Sequence, residues 1–97
     1  GITEASLIRD VAIELGVHVS VESIGGASIN TAAYTHVAVG VPDHLAGHTV
    51  DFPSWVTVDN ASGLPRMANG RQPLPTGAAG LGVQIDHSAL TLLASIR

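Results

Sequence analysis

The chain has 97 residues, four basic and eight acidic side chains, and a formal net charge of −4. That length holds one domain or a piece of one, and the charge excludes a basic surface able to neutralise nucleic-acid phosphates. With no cysteine and no lysine, the chain excludes disulfides, thiolate chemistry, Schiff bases and a lysine general base of its own. Apolar residues make up 45% and aromatic ones 3%, so a core must be built from Val, Ala, Leu and Ile. No apolar run reaches the ~20 residues of a membrane span, and no signal-peptide pattern is visible. A cytoplasmic chain without nucleic-acid or membrane partners is therefore expected. The chain starts at Gly1 and enters a helix-start signal at once, which fits a fragment or a trimmed start.

The first element expected is an amphipathic helix over residues 3–15, with Thr3 as N-cap and Glu4 favourably placed at the positive end of the dipole. Leu7, Ile8, Val11, Ala12 and Leu15 recur at helical spacing and make one apolar face. Gly16 suits the left-handed stop. Val17–Val21 reads as a strand, with Val17, Val19 and Val21 on one face, His18 and Ser20 on the other, and Glu22 at its C-terminal end. After a Ser23–Ala27 turn, Ser28 can cap a second helix whose inner side carries Ile29, Ala32, Ala33, His36 and Val37. That helix ends near Gly40, because Pro42 disfavours helix at Val41.

His48–Phe52 reads as a second short strand. Two strands joined by a helix favour a parallel pair with a right-handed crossover, the unit of α/β proteins. Trp55–Val58 is β-prone, and residues 59–65 read as a loop. Asn69-Gly70 signals a hairpin between 65–68 and 71–74, on strands that their prolines make irregular. Residues 75–82 are glycine-rich. Asp86 or Ser88 can cap a closing helix through Leu90, Leu93 and Ile96.

Three stretches, in order along nearly the whole chain, carry a family resemblance. Gly1-Ile2-Thr3-Glu4 resembles the start of the helix after the sixth barrel strand in the mandelate racemase and muconate-lactonising group of the enolase superfamily. Gly16–Glu22 resembles that group's seventh strand, leading into a helix similar to Thr31-Ala32-Ala33-Tyr34-Thr35-His36-Val37-Ala38. Gly80-Leu81-Gly82-Val83 resembles the segment where the tail returns to the capping domain. Glu22, Gly25-Gly26 and Thr31-Ala32-Ala33, with the run Val50–Val58, are similar to enzymes acting on proline derivatives. Those include cis-3-hydroxyproline dehydratases and hydroxyproline-betaine epimerases.

The resemblance implies an α/β fold that is the C-terminal fragment of a (β/α)-barrel. Residues 1–58 would supply its last two β/α units, and 59–97 a hairpin and tail packing on the capping domain. It implies an enzyme that abstracts the proton α to a carboxylate, with Mg²⁺ stabilising the enediolate. The outcome would be racemisation, epimerisation or dehydration of an amino-acid-like substrate, and sugar-acid dehydration is the alternative within the superfamily. The Mg²⁺ ligands and the acid/base lysines would lie on earlier strands, so this chain would hold no metal ligand and no catalytic residue. It would be inactive alone. Its partners would be the rest of the barrel, the capping domain and a small carboxylate substrate, and the complete enzyme would be a homo-oligomer.

Sites in such barrels lie at the C-terminal ends of the strands. Glu22 there could pair with a cationic substrate nitrogen or a catalytic lysine; otherwise it is a solvated loop carboxylate. Asp51, ending the next strand, is similarly placed to bind a substrate ammonium, or to cap a loop. Trp55 offers a cation–π face or a core aromatic. Gly25 and Gly26 precede bare N–H groups at a helix start, which can hold a substrate carboxylate or merely shape a turn. His44 and His48 are four apart, but Pro42 and Gly47 favour a loop over a metal-binding helix face. His36 reads as a satisfied core histidine, His87 as a surface one, and His18 could face either layer. A non-catalytic α/β binding module is the alternative from another class. It would leave two parallel strands with exposed edges, so the isolated chain is expected to be unstable or to self-associate.

Overall fold

The computed structural model describes residues 1–22, 25–49 and 53–91. The expected strand positions 50–52, with Asp51, and the expected helix residues Leu93 and Ile96 lie outside them.

Helix α1 spans Ile2–Glu14. It begins earlier than Thr3 because Gly1 serves as N-cap: the Ala5 N–H donates to the Gly1 carbonyl at 3.0 Å, and Glu4 reaches back to the Gly1 nitrogen at 3.3 Å. It stops as expected. Gly16 takes φ +67°, its N–H donates to the Ile13 carbonyl, and the Val17 N–H donates to that of Ala12. These paired bonds satisfy carbonyls that the helix end would otherwise leave open.

The apolar face of α1 lies open. Leu7, Ile8 and Leu15 are 65%, 71% and 73% exposed. The half-buried positions are Ser6, Arg9, Ala12 and Ile13, and α1 packs against α2 (Ser28–Ala38). Arg9 joins the two helices: its Nη1 donates to the Val37 carbonyl at 2.9 Å, while Asp10 pairs with the same guanidinium at 2.7 Å. A Cβ at Gly40 would stand 2.6 Å from that nitrogen, so glycine there makes room for the contact.

α2 also differs from expectation at its start. Ala27 is the N-cap and Ser28 the first helical residue, because the Asp59 carboxylate takes both the N–H and the hydroxyl of Ser28. Its buried side carries Ser28, Thr31, Ala32, Tyr34, Thr35 and Val37, leaving Ile29, Ala33 and His36 half-buried. The helix ends two residues before Gly40.

The two strand-like segments flanking α2 meet in a parallel bridge between Val19 and Ala46. The Val19 N–H donates to the Leu45 carbonyl at 2.9 Å, and the Gly47 N–H to the Val19 carbonyl at 2.8 Å. The parallel relation agrees with the sequence reading, but it is a single bridge two residues before His48, and neither Val17–Val21 nor the described residues 48–49 form a strand. Gly47 lets the segments close up, since a Cβ there would collide with the Ser20 hydroxyl.

The β-prone run after Pro53 does not form a strand. Pro53–Trp55 is a 3-10 turn and Val58 is 72% exposed. Branched side chains favour strands only where they can pack on a pleated, half-buried surface, and none is offered here. Two short strands were not expected: β1 (Ala61–Ser62) pairs antiparallel with β2 (Gln84–Ile85), Ala61 opposite Ile85. The Asn69-Gly70 turn is present, with φ +51° and +71° and reciprocal 2.9 Å bonds between Ala68 and Arg71. Positive φ at both central residues is the primed turn that closes two-residue hairpins. Asp86, not Ser88, is the cap at the end, and the helix it starts is a 3-10 turn over His87–Ala89. Leu90 is already extended, with ψ +141°, so no helix runs through it.

Among the described residues the fold is thus an α/β arrangement of two α-helices, a parallel bridge and one small antiparallel sheet. Its radius of gyration is 14.4 Å, above the about 13 Å of a compact domain of this size.

Candidate functional site

The parallel bridge sets the site's frame. Glu22 lies three residues beyond Val19 and His48 two beyond Ala46, so both segments deliver a titratable side chain at their C-terminal ends. His48 Nε2 lies 2.7 Å from Glu22 Oε1. A carboxylate only accepts hydrogen bonds, so the imidazole donates through Nε2–H. The side chains are 78% and 40% exposed for His48 and Glu22, open to a small ligand.

Beyond Glu22 the chain turns through Gly25 (φ +148°) and Gly26 (φ +92°) into α2. These glycines, with Ile29, Asn30, Ala33 and Asn60, line an open depression of about 400 Å³. The helix-start N–H groups expected to hold a substrate carboxylate are already used. The Ser28 N–H donates to Asp59 Oδ1 at 3.0 Å and the Ile29 N–H to Asn60 Oδ1 at 3.3 Å. Those of Asn30 and Thr31 donate to the Ala27 carbonyl at 3.1 Å. The positive end of α2 is neutralised from within the chain.

Burial raises the Asp59 pKa, but bonds from the Ser28 hydroxyl and from the N–H groups of Ser28, Asn60 and Ala61 outweigh it and hold the pKa below the ordinary value. A depressed carboxylate pKa stabilises the fold at pH above the unfolded value of about 3.9, and that stability is lost as pH falls through the folded value. Asp59→Ala is expected to cost about 1 kcal/mol at neutral pH, as for other helix caps. It should also flatten the acid limb of stability, read as unfolding midpoints at neutral pH and below pH 4. An equal acid loss in variant and parent would remove Asp59 from this role.

The remaining expected residues separate. Trp55 is 70% exposed on its 3-10 turn and lines neither this depression nor the second hollow. That second hollow, about 590 Å³, lies between α2 and the hairpin and is lined by Tyr34, Asp43, His48, Thr49 and Arg71 among others. Glu22 lines neither. Asp51 lies outside the described residues. His36 is half-buried with Nε2 3.0 Å from the Leu81 carbonyl, a satisfied histidine tying α2 to the glycine-rich tail. His44 and His48 sit on no helix. Among the described residues, no three of the His, Asp and Glu side chains are close enough to hold a metal ion. No described helix is long and apolar enough to cross a membrane.

Two contributors escaped the sequence reading. Asp59-Asn60 are good cap residues, but their partners lie about thirty positions earlier. The sequence offers His48 a partner at helical spacing, His44, and nothing local that points to Glu22. The register that seats it beside Glu22 depends on the 19–46 bridge, which no local pattern announces.

Helix, extended segment, helix and a second extended segment joined to the first by a parallel bridge, with a polar pair just beyond it, make an α/β segment. The sequence pattern described as Enolase C-terminal domain-like matches residues 1–89, and the chain belongs to that family. It is 39% identical over 83 residues to a cis-3-hydroxy-L-proline dehydratase of Roseibium aggregatum, a match covering 86% of this chain and 22% of the dehydratase. A crystal structure of a mandelate racemase/muconate lactonizing enzyme from Roseovarius nubinhibens ISM superimposes with TM-score 0.87 at 28% identity, over 97% of this chain and 26% of that one. A second structure of such an enzyme from the same organism gives 0.73 at 28% identity, over 84% and 22%. The chain therefore spans about a quarter of the length of these relatives, all of them named as enzymes.

Proposed function

We propose that this chain is the C-terminal part of a (β/α)-barrel enzyme that removes the proton α to the carboxylate of a proline-derived substrate. The observation that carries this reading is the 39% identity to a cis-3-hydroxy-L-proline dehydratase over 83 residues. In dehydration the α C–H bond breaks, its electron pair becomes the Cα=Cβ bond, and the β-hydroxyl leaves as water once protonated. In epimerisation a proton returns to the other face. Mg²⁺ would neutralise charge on the substrate carboxylate in the complete enzyme. Its ligands would lie on earlier strands of the barrel; among the described residues no three His, Asp and Glu side chains come close enough to hold it, and no step in this segment runs through it.

This segment's part is recognition. Glu22, at a strand end, would face the cationic nitrogen of the substrate, and Asp51 would do the same from the neighbouring segment. Gly25 and Gly26 let the chain turn into α2 at positive φ, and Trp55, exposed on its own turn, would offer the nitrogen a cation–π face. The open face of α1 would be covered by the rest of the barrel. Burying Leu7, Ile8, Val11 and Leu15 fully is worth roughly 1.5–3 kcal/mol each. These side chains are 52–73% exposed, so about two-thirds of their sum, roughly 4–8 kcal/mol, is still to be gained, comparable to the lower part of the 5–15 kcal/mol stability of a whole domain.

The full-length enzyme with Mg²⁺ is expected to turn over cis-3-hydroxyproline or a hydroxyproline betaine and not an aldonic sugar acid. Turnover of the sugar acid alone would overturn the substrate assignment. The isolated 97 residues should show no turnover and should self-associate on size-exclusion chromatography. A monomer that unfolds in one cooperative transition would overturn the fragment reading.

A further inference from the structure

Glu22 was expected in the site on its own; the fold gives it a companion. The parallel bridge between Val19 and Ala46 brings His48 alongside, and Nε2 and Oε1 meet at 2.7 Å, the spacing of a charge-assisted hydrogen bond. We propose that His48 is a positioning residue of the substrate site, holding one oxygen of Glu22 so that the other is presented to the cationic nitrogen of an amino-acid-like substrate. This rests on the function proposed above.

The chemistry favours this division of labour. A carboxylate has about four acceptor sites on two oxygens, so one bond at Oε1 leaves Oε2 whole. A glutamate at a strand end is otherwise free to sample rotamers, and fixing it only when substrate arrives would weaken binding. The imidazole makes that restriction part of the folded state. The pair is too exposed to contribute much to stability. Its significance is its place, at the C-terminal ends of neighbouring parallel segments, where α/β proteins bind ligands. His48 also borders the hollow between α2 and the hairpin, which Glu22 does not line.

The test uses the full-length enzyme and the proline-derived substrate it turns over, measuring KM and kcat separately. His48→Ala is expected to raise KM about tenfold, the worth of one hydrogen bond, with kcat changed less than about threefold. His48→Gln places an amide N–H near the imidazole Nε2–H and should return KM to within about threefold of the parent. In a Glu22→Gln background, His48→Ala should add less than about threefold, because the two residues act through one contact. An unchanged KM in His48→Ala, no rescue by Gln, or fully additive effects would each overturn the proposal. His48 is 78% exposed, so its variants do not remove core packing. If Glu22→Gln shifts KM and His48→Ala does not, this inference fails while the proposed function stands. If no proline derivative is turned over, or Glu22→Gln leaves KM unchanged, the substrate reading fails and takes this inference with it.

Discussion

Glu22→Gln in the full-length enzyme is expected to lower kcat/KM for a proline-derived substrate by about 10–100-fold, mainly through KM. The substitution keeps the shape of the side chain and removes its charge. What is lost is the negative charge facing the substrate nitrogen. For a ring N–H that charge-assisted hydrogen bond is worth about 1.5–3 kcal/mol, for a betaine the effect is charge attraction alone and lies at the lower end, and each 1.4 kcal/mol is a factor of ten. The 40% exposure of the side chain in this segment places the effect at the lower end if the rest of the barrel leaves it equally wet. Because the carboxylate meets a nitrogen that is charged in both ground and transition states, the interaction is uniform binding and should spare kcat. A neutral or anionic carboxylate substrate offers Glu22 no counter-charge, so its KM should fall or stay level. An equal rise in KM for charged and uncharged substrates would show that the amide disturbs the loop and that Glu22 does not recognise the cation.

How far this site could be read in the sequence follows from the range of the interactions that build it. α1 was legible because its signals are local: apolar spacing, the Gly16 stop and the acid at its start. The Asn69-Gly70 turn was legible for the same reason, since two left-handed residues in a row leave few alternatives to Asn-Gly. The parallel relation of the strand segments could be deduced from the helix between them. What failed was everything set at a distance. Ser28 looks like a cap until Asp59, 31 positions on, claims its hydroxyl. Two-residue strands such as Ala61–Ser62 and Gln84–Ile85 contain no period to detect. Trp55–Val58 has the composition of a strand but no strand partner among the described residues, and composition does not create one. The pairing of Glu22 with His48 needs the register of the parallel bridge, and a slip of one residue would turn His48 to the other face. The family resemblance named Glu22 as a site residue; only the three-dimensional arrangement gave it a neighbour.

The largest expected loss of stability comes from the tail, at Gly82. This residue is buried, with φ +79°, against Pro75, whose side chain is fully buried. A Cβ at Gly82 would overlap the Pro75 carbonyl oxygen and stand 2.5 Å from its carbon and 3.1 Å from its Cβ. The first two are backbone atoms, so no rotamer change relieves the collision, and the chain must separate. Gly82→Ala therefore combines a left-handed backbone cost of about 1–2 kcal/mol with an overpacking cost of about 1–3 kcal/mol. The sum, roughly 2–5 kcal/mol, is large against the marginal stability of a domain. The disturbance should also spread along the chain. The Leu81 carbonyl, one residue away, meets His36 on α2, and the β2 strand that follows pairs with β1, next to the Asp59-Asn60 cap. Gly80→Ala makes a useful comparison: its φ is +70°, but nothing lies within 4 Å of a Cβ there, so it carries the backbone cost alone. The full-length protein with Gly82→Ala should unfold several degrees below the Gly80→Ala variant, and amides at the start of α2 should exchange faster. Equal midpoints for the two variants would mean that the Pro75 contact yields freely and that the tail is not what holds the cap in place.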